Sequence, residues 1–184
     1  GCNFSCEGCI STVVAKEMNE QSKALEHLTP LQIVQKALKL ECDGIVFLMN
    51  DPLANFYTFL EVCKLAKENN LFTGCSTNAY FSAASLDLLS PYLDFVNIGI
   101  KGLSNDAYKS CGAYSYKPVL RNIELFYKKG VHIEIATIHK KGNEEEVVKI
   151  AEYIKSLSSD IPFQLMRYLP IDNASIADEP SIVE

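Results

Sequence analysis

No stretch of this sequence approaches the roughly 18 consecutive apolar residues that a membrane-spanning helix requires, so it reads as soluble, with no membrane as a partner. Basic residues show no excess: 17 Lys and Arg stand against 23 Asp and Glu, a net charge of −6. They are scattered, which leaves no electrostatic footprint for a nucleic-acid partner. Repeats and low-complexity tracts are missing, and no signal peptide precedes the first cysteine. Histidine is scarce, with three in the chain. Paired histidines and a second Cys-x2-Cys are both missing, which weakens a zinc reading. Gly1 is not an initiator residue, and the sequence reads as an excised or truncated piece.

What is present suits one globular domain. The chain has 184 residues, 48% hydrophobic and 22% charged, enough to bury a full core. Its seven cysteines are an odd number, which argues against a secreted disulfide framework and suits a reducing cytoplasm. Cys42, Cys63, Cys75 and Cys111 lie singly in apolar surroundings, where a free cysteine is usually a small buried hydrophobe. Cys2, Cys6 and Cys9 crowd into a single polar loop.

Punctuation and periodicity alternate along the chain. Gly44-Ile45-Val46-Phe47-Leu48-Met49 is a continuous apolar run of strand length, stopped by Asn50-Asp51-Pro52. Such runs suit strands buried on both faces, as in parallel sheets. Similar signals predict strands at about 44–49, 71–75, 94–100, 131–138 and 163–166. Thr29-Pro30 and Ser82 are helix starts, and helices are expected near 30–40, 56–66, 82–89, 105–109, 118–129 and 144–157. Residues 11–27 read as a weak helix or irregular segment, and residues 171–184 as a polar, acidic tail or linker following a domain of residues 1–170. Alternating strands and helices give an α/β fold with a parallel sheet. In barrels of this kind chemistry sits where strands end. Asn50 and Asp51, Thr77 and Asn78, Lys101 and Arg167 all fall at such ends, which points to one shared site.

The loop Cys2-Asn3-Phe4-Ser5-Cys6-Glu7-Gly8-Cys9 has the spacing Cys-x3-Cys-x2-Cys. Three thiolates on one tight loop hold three irons of a [4Fe–4S] cube and leave the fourth iron open, whereas ordinary electron-transfer cubes use four cysteines. The competing reading is a zinc site of the same cysteines with a fourth ligand such as His27. A disulfide within this set of seven is the least favoured.

This spacing is the signature of the radical S-adenosylmethionine (SAM) superfamily, and the rest of the chain resembles its activating-enzyme branch. That branch holds pyruvate formate-lyase activating enzyme, other glycyl radical enzyme activating proteins and proteins of the AmmeMemoRadiSam type. Phe47-Leu48-Met49-Asn50-Asp51-Pro52 resembles the family's strand ending in an acidic-Pro motif, and Thr77-Asn78 its Thr-Asn-Gly turn. Tyr92 to Lys101 resembles the strand ending in Asp-x-Lys, and Arg167-Tyr168 the exit of the last strand.

The resemblance implies a partial parallel (β/α) barrel and a [4Fe–4S] cluster on Cys2, Cys6 and Cys9. It implies cleavage of SAM to methionine and a 5′-deoxyadenosyl radical, with no catalytic acid–base pair. Asn50 and Asp51 would contact the SAM amino group, Lys101 the carboxylate, and Thr77 and Asn78 the methionine or ribose part, with Arg167 lining the same mouth. An electron donor such as flavodoxin or ferredoxin is implied, and so is hydrogen abstraction from a glycyl radical enzyme. The alternatives are a small molecule or another macromolecule as substrate, or a non-catalytic iron–sulfur or zinc-binding regulator. The family's partial barrel has six strands, so the first is expected upstream of this sequence. Residues 1–12, deprived of that anchor, are expected to be poorly ordered or displaced, which leaves open whether this piece holds the cluster even if the full protein binds one.

Overall fold

The computed structural model describes residues 1–18, 22–23 and 25–168; the expected tail at 171–184 lies outside the described residues. Each expected strand is found: β1 Gly44–Phe47, β2 Phe72–Thr77, β3 Phe95–Gly99, β4 His132–His139 and β5 Phe163–Arg167. They pair in parallel as one open sheet in the order β1-β2-β3-β4-β5. The helices are α1 Pro30–Lys39, α2 Phe56–Glu68, α3 Ala83–Leu89, α4 Asn105–Lys109, α5 Lys117–Lys128 and α6 Glu144–Leu157. None of the described helices is long and apolar enough to cross a membrane.

Local chemistry accounts for several of these boundaries. Thr29 closes a capping box before Pro30: its hydroxyl accepts from the Gln32 N–H at 3.3 Å, while Gln32 Oε1 accepts from the Thr29 N–H at 2.8 Å. Ser82 accepts from the Ser85 N–H at 3.1 Å and starts α3. Within residues 11–27, read as a weak helix or irregular segment, Val13–Glu17 forms a single π-helical turn.

Register sorts the strand residues into two faces. On one face Phe47, Cys75, Val96 and Ile133 stand in a row, followed by Thr77, Ile98 and Ile135. Most of them pack with α2, α3, α5 and α6 into the main core. A smaller cluster of Val34, Ala37, Val62, Ala66 and Leu71 joins α1 to α2. The opposite face is open, which corrects the expectation of burial on both sides. Val46 is 44% exposed and Met166 55%. Between them Asn97, Glu134 and Gln164 bond one another across three strands, with Gln164 Nε2 2.8 Å from Glu134 Oε2. The physical reason is that helices cover one face of this sheet, and burial on the other is confined to central positions such as Gly74 and Ala136.

The expected displacement of residues 1–12 is also corrected. Phe4 is 5% exposed, its ring centroid 5.1 Å from that of Tyr80 and 6.0 Å from that of Tyr108. The Ser5 N–H donates to the Cys111 carbonyl at 2.9 Å, the Glu7 N–H to Ser110 at 3.3 Å, and the Asp51 N–H to Gly1 at 3.0 Å. A buried aromatic ring and three backbone bonds therefore anchor the loop without a preceding strand.

Candidate active site

The C-terminal ends of β1, β2 and β3 carry the polar residues, and a single carboxylate ties the first two together. Asp51, just past β1, is 3% exposed. Its Oδ1 accepts from the Leu53 N–H at 3.0 Å, and so caps the 3-10 turn Pro52–Asn55. Its Oδ2 accepts from the Asn78 N–H at 2.8 Å and from the Thr77 hydroxyl at 3.0 Å, both at the end of β2. The Thr77 hydroxyl in turn accepts from the Ala79 N–H at 3.0 Å. Burial pushes the Asp51 carboxyl above its usual range, opposed by these donors and by the charge of Lys101. The carboxylate thus has a structural task already.

Asn78 passes the restraint on to the cysteine loop. Its Nδ2 donates to Asn3 Oδ1 at 2.6 Å and lies 3.7 Å from Cys2 Sγ, while its Oδ1 accepts from the Tyr80 N–H at 2.8 Å. Asn3 Nδ2 donates back to the Tyr80 carbonyl at 2.8 Å. Ala79, where the resembling turn has glycine, takes a left-handed φ of 55°. Its carbonyl accepts from Asn122 Nδ2 at 2.8 Å, and Asn122 also reaches the Phe81 carbonyl at 2.9 Å. Asn122 is 0% exposed on α5 and was not singled out from the sequence. Its signal was there: a polar residue on the same helical face as Val119, Ile123 and Phe126.

Lys101 follows β3, its backbone N–H donating to the Tyr108 hydroxyl at 3.3 Å. Lys101 Nζ lies back over the end of β3, 3.5 Å from where a Cβ on Gly99 would stand, an ordinary contact distance. Burial pulls the Lys101 pKa down, against the pull of Cys9, Cys2 and Asp51 in the other direction. Charge from the cysteine loop and from Asp51 thus opposes the effect of burial on Lys101. Asn50 is exposed beside Asp51 and lines a pocket with Gly1, Asn55 and Thr58. Arg167 is exposed at the end of β5, the edge furthest from β1. Its neighbour Tyr168 brings its hydroxyl within 3.8 Å of where a Gly8 Cβ would lie. Gly8 has a φ of 62°, the left-handed conformation that suits glycine.

The cysteines divide unexpectedly. Cys2 and Cys9 are free and half-buried, on the Lys101 side. Cys6 instead lies sulfur to sulfur with Cys111, and the two are joined as a disulfide. That corrects the reading of Cys111 as an isolated core thiol. Cys63 and Cys75 are buried at 1% each, as expected, but Cys42 is exposed, because it sits in the turn after α1. Among the described residues no three of His, Cys, Asp or Glu stand together as a metal-holding group, and His27 joins none. The donor chemistry nonetheless fits an iron–sulfur cluster, with three soft thiols on one anchored loop beside a cation.

Similarity to known proteins extends over most of the chain. The model of the Radical SAM superfamily matches residues 1–154. An uncharacterised protein of Methanocaldococcus jannaschii is 27% identical over 174 residues, covering 92% of this chain and 51% of that protein. A second protein of that organism, provisionally named a glycyl-radical enzyme activating enzyme, is 25% identical over 187 residues, covering 98% and 69%. Streptococcus suis SuiB bound to S-adenosylmethionine superimposes with a TM-score of 0.72 at 14% identity, covering 94% of this chain and 39% of that one. The chain thus spans about half the length of the first relative, 51%.

Proposed function

This chain belongs to the radical SAM superfamily, and from that premise we propose that it binds a [4Fe–4S] cluster through Cys2, Cys6 and Cys9 and cleaves SAM reductively. Enzymes of this superfamily use such a cluster together with SAM, and the chain resembles their activating-enzyme branch. The observation that carries the reading is the hydrogen-bonded frame in which Asp51, Thr77 and Asn78, at the ends of β1 and β2, hold the Cys2-Asn3 end of the cysteine loop.

The cluster, when bound, supplies the electron for cleavage. The chain's own residues bind and orient. Lys101 offers a point charge to the SAM carboxylate. Asn50, exposed at the mouth, and Asp51 beside it accept from the amino group. Thr77 and Asn78 serve the site as its frame, holding Asp51 and the cysteine loop in fixed relation. Phe4 and Tyr80 close the floor beneath the loop and exclude water. Arg167 lines the far side of the mouth. The relative named for glycyl-radical activation supports a glycine of a partner protein as the hydrogen donor; flavodoxin or ferredoxin as electron source is what the resemblance to the activating-enzyme branch implies.

The test is product formation. Reduced, reconstituted protein incubated anaerobically with SAM should release 5′-deoxyadenosine and methionine in equal amounts. Intact SAM in a sample with full iron and a reduced cluster would overturn the reading.

A further inference from the structure

The three loop thiols are not equivalent, because one of them has a partner elsewhere in the fold. The Ser5 N–H donates to the Cys111 carbonyl at 2.9 Å and the Glu7 N–H to Ser110 at 3.3 Å, so two backbone bonds bracket Cys6 against the turn after α4. Gly112 makes this approach possible. Its φ is 75°, and a Cβ there would stand 2.9 Å from Ser5 Oγ. Cys6 and Cys111 meet sulfur to sulfur although 105 residues separate them in sequence. Cys111 is 5% exposed, packed in the main core, whereas Cys6 is half-buried.

We infer that Cys6 and Cys111 form a reversible disulfide gate that removes Cys6 from the ligand set until the chain is reduced. The inference rests on the reading of Cys6 as a cluster ligand. The step is a thiol–disulfide exchange with a low-molecular-weight disulfide, R–S–S–R. Cys6 sulfur, the accessible one, attacks it and releases one R–SH, leaving a mixed disulfide. Cys111 sulfur then attacks Cys6 and releases the second R–SH. Two S–H bonds and one S–S bond break, one protein S–S bond and two R–S–H bonds form, and R–S–S–R takes the two electrons. A dithiol reductant reverses the sequence. Cys2 and Cys9 stay free throughout, so the loop is held ready in its docked position but lacks its middle ligand.

Apoprotein treated with oxidised glutathione, then alkylated and digested, should show a Cys6–Cys111 crosslink as the dominant species by mass spectrometry, and free thiols should fall from seven to five. Iron uptake by oxidised wild type should fall at least tenfold against the same protein reduced with dithiothreitol. Cys111→Ala should keep most of its iron uptake after the same oxidation. Crosslinks mainly among Cys2, Cys6 and Cys9, or equal iron uptake by oxidised and reduced wild type, would overturn the gate and leave the cluster assignment standing. No iron uptake by reduced wild type or by Cys111→Ala, with the crosslink still mapped to Cys6–Cys111, would overturn the cluster assignment and the gate with it.

Discussion

Asp51→Ala lowers the unfolding temperature of the apoprotein by about 10 °C, before any cofactor is added. The substitution strips the acceptor from the Leu53 N–H, the Asn78 N–H and the Thr77 hydroxyl at one buried point. An orphaned buried donor costs about 1–3 kcal/mol, and the three share one cavity, so about 3–4 kcal/mol is expected in sum. Each kcal/mol moves a domain of this size by about 2–4 °C. Part is returned, because the substitution also spares the burial of a carboxyl, whose desolvation raises its pKa. Asp51→Asn should lie between the two, since its amide keeps one acceptor and turns an NH2 toward the other donor.

The pH dependence has a definite sign. An acid whose pKa is raised in the fold favours folding fully below its unfolded pKa and loses that contribution as pH rises through the raised value. Asp51→Asn should therefore gain on wild type as pH climbs through that interval. Thermal unfolding of the three proteins across the acid range checks both claims. An unchanged transition in Asp51→Ala would remove Asp51 from the frame. Asp51→Ala should also bind SAM more weakly by titration, and that loss is readable as a lost contact only in a variant the melting curve shows to be folded.

Lys101→Met is expected to act in two opposite directions. Burial pulls the Lys101 pKa down, so its charge costs folding free energy, offset in part by Cys9, Cys2 and Asp51. Replacing it with an apolar side chain of similar length should raise the apoprotein transition by about 2–4 °C, the shift that roughly 1 kcal/mol produces. The advantage should shrink as pH rises through the depressed lysine pKa, where wild type sheds the charge. SAM affinity should fall at the same time. A charge-assisted bond is worth about 1.5–3 kcal/mol, or roughly 10- to 150-fold in binding. Titration of the reconstituted protein and melting of the apoprotein measure the two effects separately. A lowered transition would mean that Lys101 serves the fold as a counter-charge to the thiols, and has no charge in reserve for a ligand.

Much of this architecture is legible because strands and turns leave local marks. The runs at 44–49 and 131–138 and the stops at Asn50-Asp51-Pro52 and Lys101-Gly102 locate strand ends closely, and α6 Glu144–Leu157 matches its expected span. What was not legible depends on contacts between distant residues. Cys111 looks like any small core residue until the fold lays its turn on the cysteine loop 105 residues earlier. Asn122 is a polar residue on an apolar helical face, and only the turn it bonds explains it. Thr77 and Asn78 fall at the expected strand end, but their hydrogen bonds to Asp51, Asn3 and Tyr80 could not be read from the sequence. The open face of the sheet was misread because an apolar run cannot say how many of its faces are covered.

The central claim is that Cys2, Cys6 and Cys9 hold one iron–sulfur cluster. Its most direct test is iron and sulfide content after reduction and anaerobic reconstitution, in wild type and in single Cys→Ala variants of all seven cysteines. Wild type should carry about four iron and four sulfide per chain. Cys2→Ala, Cys6→Ala and Cys9→Ala should each lose most of it, while Cys42→Ala, Cys63→Ala, Cys75→Ala and Cys111→Ala keep it. Equal loss from Cys63→Ala or Cys42→Ala, or full iron in Cys6→Ala, would contradict the account.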